Sequence, residues 1–156
     1  LPDERLVEIS NVMSESYSVL RNSLVPSLLR VEAESSKAFY PHKVFEAGEA
    51  AVYDENDVMG SKTILNTSAL IAHPTANFSE MHSYLDMLFY YLNLEYTLEP
   101  FKNPSFIDGR AGKIIAKGEP IGITGELHPE VLEKWGINCP CACVEISVNK
   151  ILNLKR

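Results

Sequence analysis

The chain is poor in the residues that hold metals, carry redox chemistry or grip phosphate. Its 156 residues include three cysteines, one tryptophan and only five arginines: Arg5, Arg21, Arg30, Arg110 and Arg156. Cys139, Cys141 and Cys143 follow a period of two, which places all three on one face of a strand. Neighbours at that spacing are poorly placed to bridge. A zinc centre wants a fourth ligand and a second cluster, and there is no other cysteine. The pattern therefore reads as small, soft side chains facing a core, reduced as in the cytoplasm. No apolar run of about 18 residues is present, so no helical membrane span is expected. No basic, leucine-rich leader opens the chain. The first residue is Leu1, which reads as a piece of something longer. Neither a Gly-x-Gly-x-x-Gly nor a Gly-x-x-x-x-Gly-Lys loop occurs.

Positive charge is also scarce. Twenty-one acidic residues face fourteen basic ones, for a net charge of −7. The basic residues are scattered, and Lys155-Arg156 is the only adjacent pair. Nucleic-acid binding needs clustered Lys and Arg, so tRNA contact by this chain is expected to be weak or absent. Arg110, Lys113 and Lys117 form a local basic spot. Strand alternation predicts Lys113 and Lys117 on one face, which reads as solvated surface.

What is present is the making of one globular domain over 1–156. Leu6-Val7-Glu8-Ile9 reads as a short strand, and Asn11 to Ser18 as a polar turn. Ser23 is placed to cap a helix from near Leu24, with Pro26 in its first turn. Leu24, Val25, Leu28, Leu29 and Val31 form its apolar stripe, which continues toward Ala38. Val44–Tyr53 and Ile64–Ala72 read as strands of a hairpin, with a bulge or bend at Gly48. Asn77 caps the clearest helix, with Glu80 three residues on. Phe78, Met81, Leu85, Leu88, Phe89 and Leu92 follow its helical period. Tyr96–Phe101 reads as a strand, and Gly112–Lys117 with Pro120–Leu127 as a hairpin about Gly118-Glu119. Pro129 opens a short helix, Glu130 favours its dipole, and Gly136 ends it. Val144–Val148 closes the sheet. The class is α+β, with a mostly antiparallel, mixed sheet flanked by helices.

Several residues invite a chemical reading. Glu126 and His128 resemble an acid–base pair, but a base needs an oriented partner and a pocket. His128, before Pro129, is placed to cap or to pack at the helix start, and Glu126 to pair with a turn N–H or an arginine, Arg110 being the candidate. Asp54, Glu55 and Asp57 suggest calcium, but the register fails: neither frame has both a glycine at position six and a glutamate at twelve. His42, His73 and His82 are too scattered to argue a shared metal. Tyr84, Tyr90 and Tyr91 on the second helix are interface candidates.

Four segments then carry a family resemblance. Asn11-Val12-Met13-Ser14-Glu15-Ser16-Tyr17-Ser18-Val19-Leu20-Arg21-Asn22-Ser23-Leu24-Val25-Pro26-Ser27-Leu28-Leu29 resembles the "NPxSEEYSVLRTSLLPGLL" segment of the phenylalanyl-tRNA synthetase β subunit, archaeal and eukaryotic type. Lys43–Glu49, containing Glu46, is similar to its "KIFEIGD" strand. Asn103–Ala111, containing Gly109 and Arg110, is similar to its "PSFIPGRAA" turn. Ile123–Gly136, containing Gly125, Glu126, His128 and Pro129, is similar to its "IGEIHPEVLENWG" segment. The order is preserved across the chain. Val12 replaces the usual Pro, and Ser27 the usual Gly.

The resemblance implies a catalytic-like module with the sheet of a class II aminoacyl-tRNA synthetase core but without its active site. It also implies packing against the α subunit in an (αβ)2 heterotetramer, where ATP and magnesium serve the α subunit. No arginine here sits in a Phe-Arg-x-Glu context or after a glycine-rich strand, and arginine is the group that forks onto phosphate. The expectation is a scaffold with no catalytic, cofactor or metal residues of its own. Two alternatives remain open: a free-standing paralogue serving as an interaction module, and an enzyme using Glu126 and His128.

Overall fold

The computed structural model describes residues 6–11, 18–35 and 37–155. Four helices and six strands lie along them. They run α1 (Val25–Glu34), β1 (His42–Tyr53), β2 (Ser61–Ala72), α2 (Phe78–Leu92), β3 (Thr97–Pro100), β4 (Phe106–Ala116), β5 (Glu119–Leu127), α3 (Pro129–Trp135), β6 (Cys141–Ser147) and α4 (Val148–Leu154). The strands make one sheet in the order β1-β2-β6-β5-β4-β3. Every pairing between them is antiparallel, so the expected mixed sheet is corrected to a uniform one.

The last strand does not close an edge. It inserts between β2 and β5, at the centre. Its first six residues are all buried, as befits a strand covered on both faces. Helices lie on both sides of the sheet. On one face, Val25, Leu28 and Leu29 of α1 and Leu132 of α3 pack on Leu70, Ala72, Cys141 and Cys143. On the other, Met81, Leu85 and Phe89 of α2 and Ile151 of α4 pack on Ile71, Ile114, Val144 and Ile146. Helix α4 follows β6 where the sequence pattern showed no element: Ile151 packs on the sheet, and that burial stabilises a seven-residue segment too short to be helical alone.

Local expectations fare unevenly. The β1–β2 hairpin is in register throughout, and Gly48 sits opposite Asn66 without a bulge. Its missing side chain serves another end: a Cβ there would lie 2.7 Å from Arg21 Nη2. Leu6–Ile9 makes no full strand, only a bridge between Glu8 and Val19. Most of the expected polar turn, residues 12–17, lies outside the described residues. In α1 the stripe is Val25, Leu28, Leu29 and Glu32, while Val31 is 46% exposed and the helix ends at Glu34. The β4–β5 turn is built on Lys117 and Gly118, both at positive φ. That backbone twist matches the right-handed twist of the flanking strands.

Candidate functional site

The polar residues of the sheet centre converge on two buried carboxylates. Glu126 on β5 and Glu145 on β6 lie on neighbouring strands but serve opposite faces. Glu126 Oε1 accepts from Arg110 Nη1 at 2.7 Å, as the sequence suggested. Its Oε2 accepts from the backbone N–H of Phe78 at 3.3 Å, in the first turn of α2. Asn77 Oδ1 accepts from Glu80 N at 3.0 Å in the same turn. The first-turn donors that a helix leaves unpaired are thus divided between a local cap and a strand carboxylate.

Glu145 does the same for α1. Its Oε2 accepts from the Ser23 hydroxyl at 2.6 Å, Leu24 N at 3.0 Å and Val25 N at 3.3 Å. Its Oε1 accepts from Asn66 Nδ2 at 2.8 Å. Ser23 was expected to be the cap; it accepts from Val25 N only at 3.3 Å, and the capping residue proper, Leu24, has no side-chain bond. The carboxylate takes over because it adds a full negative charge at the positive end of the helix dipole. Sequence reading missed Glu145. The available signal was a charged residue between Val144 and Ile146 in an otherwise apolar strand.

His128 does not join Glu126. Its Nδ1 accepts from Glu130 N at 3.3 Å and caps α3, while Gly136 closes that helix at φ +73°. The acid–base pairing considered from sequence is therefore not assembled. Gly125 pairs with Cys143 across the sheet centre. Gly109 lies at φ +75° in the irregular opening of β4, between the paired positions Phe106 and Ala111.

A second cluster forms at the start of α1. Arg21 Nη1 lies 2.6 Å from Glu46 Oε1. The same guanidinium donates to Glu49 O at 2.9 Å and to Ser27 Oγ at 3.1 Å. Ser27 thereby supplies an acceptor to this cluster. Pro26 falls in the first turn beside it. Asn11 is exposed.

The remaining candidates separate. Lys113 Nζ lies 5.6 Å from the centre of the Phe101 ring, on the α1–α3 side of the sheet. Lys117 Nζ donates to Leu154 O at 2.6 Å, at the end of α4. The register shift between Ile114 and Ile115 breaks the alternation that was expected to align them. His42 meets Glu32 at 2.9 Å, His73 meets Glu80 at 2.7 Å, and His82 stands 3.6 Å from Asp86. Glu32 is almost fully buried; sequence reading missed it too, although a glutamate on the stripe of Leu28 and Leu29 was visible. Asp54 and Asp57 accept from Asn56 N and Met59 N within their own turn. Among the described residues, no three His, Cys, Asp or Glu side chains gather as a metal site.

The three cysteines are buried and free and pack on the α1–α3 side; Cys141 and Cys143 share one face of β6 as the spacing predicted, while Cys139 lies in the bend before that strand and not on it. Burial, and then the nearby Glu145 carboxylate, push the Cys143 thiol from 9.0 up to about 12. Burial also raises Cys141. Lys43, about half exposed, is raised chiefly by its hydrogen bond to Tyr84.

The model of the phenylalanyl-tRNA synthetase β-chain CLM domain family matches residues 1–148. The chain belongs to that family. It is 43% identical over 145 residues to the phenylalanine–tRNA ligase β subunit of Thermococcus kodakarensis, covering 93% of the chain and 25% of the relative. The β subunit of Thermococcus onnurineus is 41% identical over the same shares. That of Borreliella burgdorferi is 38% identical over 151 residues, covering 97% of the chain and 27% of the relative. The chain thus spans about a quarter of the length of these β subunits. Within the CLM domain, the segments that carried the resemblance meet as two ion-paired clusters, Arg21 with Glu46 and Arg110 with Glu126. No helix among the described residues is long and apolar enough to cross a membrane.

Proposed function

We propose that the chain is a non-catalytic structural module of a phenylalanine–tRNA ligase β subunit, with the sheet architecture of a class II synthetase core, and that it packs against the α subunit. The α subunit then charges tRNA(Phe) with phenylalanine, using ATP and magnesium, in a cytoplasmic (αβ)2 assembly. This chain holds no cofactor of its own in that reading.

One observation carries it. The charged groups that catalysis would draw on are committed to the fold: Glu126 and Glu145 seat helices, and Arg21 and Arg110 are held by carboxylates. An enzyme aims such groups at the substrate and leaves their charge to meet it. Here their partners are the protein's own backbone and side chains.

The β1 flank supports packing by contact. β1 is an outer strand of twelve residues. Arg21 covers its edge at Glu49 and Ala51 through backbone and side-chain bonds, whereas Phe45 is 79% exposed. Long strands with apolar, open edges are usually covered by a partner. Co-expression of the full β subunit and the α subunit, followed by size-exclusion chromatography, tests the reading. The F45K variant is expected to weaken co-elution. Unchanged co-elution of F45K, together with adenylate formation by the β subunit alone, contradicts it.

A further inference from the structure

At the opposite edge of the sheet from β1, the end of α2, strand β3 and the β4–β5 turn enclose an open cleft of about 1010 Å³. We propose that this cleft receives an arginine-bearing segment of a partner protein, at a surface separate from the β1 flank.

The floor is apolar. Phe89 and Leu94 are buried beneath it, and the Phe89 and Tyr96 rings lie 4.4 Å apart. The rim is aromatic. Tyr90 and Tyr91 are 81% and 78% exposed, with their rings edge to face at 5.6 Å. Adjacent positions on a helix are far from sharing one face, so the pair splays and presents open ring surface. Neither side chain serves the core. Tyr84, expected to belong with them, turns instead to Lys43. Exposed tyrosines of this kind are the residues that interfaces use as anchors.

The charge selects the occupant. Asp86 and Glu95 both line the cleft. The last turn of α2 has no basic residue, so the negative end of its dipole adds to theirs. The cleft's own cation, Lys117, spends its ammonium on Leu154 O. Asp86 accepts from the Tyr96 hydroxyl and stands 3.6 Å from His82, while Glu95 has no partner among the described residues. A guanidinium suits both features, since it stacks on a tyrosine face and forks onto a carboxylate. A nucleic acid also stacks on tyrosines, but it brings phosphates against Asp86 and Glu95.

Titration of the 15N-labelled full chain with the peptide acetyl-Gly-Arg-Gly-Arg-Gly-amide tests this, read by amide shifts at low and moderate salt. Saturable shifts are expected at the end of α2, at Glu95–Thr97 and at Lys117–Gly118, weakening as salt rises. The variants Y90A/Y91A and E95Q are expected to bind about tenfold more weakly while their spectra elsewhere stay unchanged. The proposal is overturned if no saturable shift appears at millimolar peptide, or if the variants bind as the parent does. It is equally overturned if a glutamate-substituted peptide or oligouridylate produces the same shifts. None of these results depends on α-subunit packing.

Discussion

Two buried carboxylates decide how this fold is tied together. Glu145 accepts four hydrogen bonds, from Ser23, Leu24, Val25 and Asn66. Removing it leaves buried donors unpaired, which costs far more than the net worth of any one bond. E145A is therefore expected to lose about 2–4 kcal/mol of stability, measured by urea unfolding; a loss within the ordinary surface range would contradict its role. The thiols make a second residue-scale prediction. Cys143 is raised from 9.0 to about 12 in the fold, so the folded state resists ionisation that the unfolded chain allows. The stabilisation is complete below about pH 9 and is lost as pH climbs through about 12, since stability falls wherever the unfolded state binds fewer protons. C143A should flatten the decline of unfolding free energy over that range. At pH 8, a thiol reagent should label the native chain slowly and all three cysteines after denaturation.

At the scale of elements, legibility followed periodicity and turn chemistry. Helix α2 was readable from Asn77, Glu80 and the spacing of Met81, Leu85 and Phe89, because a local cap and an amphipathic stripe are written in adjacent residues. The two hairpins were readable from alternation and from Gly118. N77A should accordingly cost about 1 kcal/mol, seen as a lower thermal midpoint. Helix α4 was not readable, because its stability comes from Ile151 meeting strands far away in sequence. The central place of β6 was likewise hidden: strand order depends on long-range pairing that no local pattern encodes. The site was half legible. The Arg110–Glu126 pair and the His128 cap follow from residue type and nearby spacing. The Glu145–Ser23 contact joins residues 122 positions apart, and only the oddity of a charge in an apolar strand pointed to it.

At the scale of the whole molecule, the charged groups of the sheet tie the structure together while large apolar side chains remain on its surface. Phe39 is 98% exposed and Phe45 79%. The chain by itself should therefore self-associate as concentration rises. Sedimentation velocity should show the mean mass increasing, and F45K should reduce the effect; a monomer across the whole range would contradict it. The central claim is that Glu126, Glu145, Arg21 and Arg110 are bound to the protein's own groups, so the chain acts by contact rather than by chemistry on a nucleotide. Calorimetric titration of the chain with magnesium ATP tests this most directly. The account predicts no saturable heat up to millimolar nucleotide, whereas stoichiometric micromolar binding would contradict it.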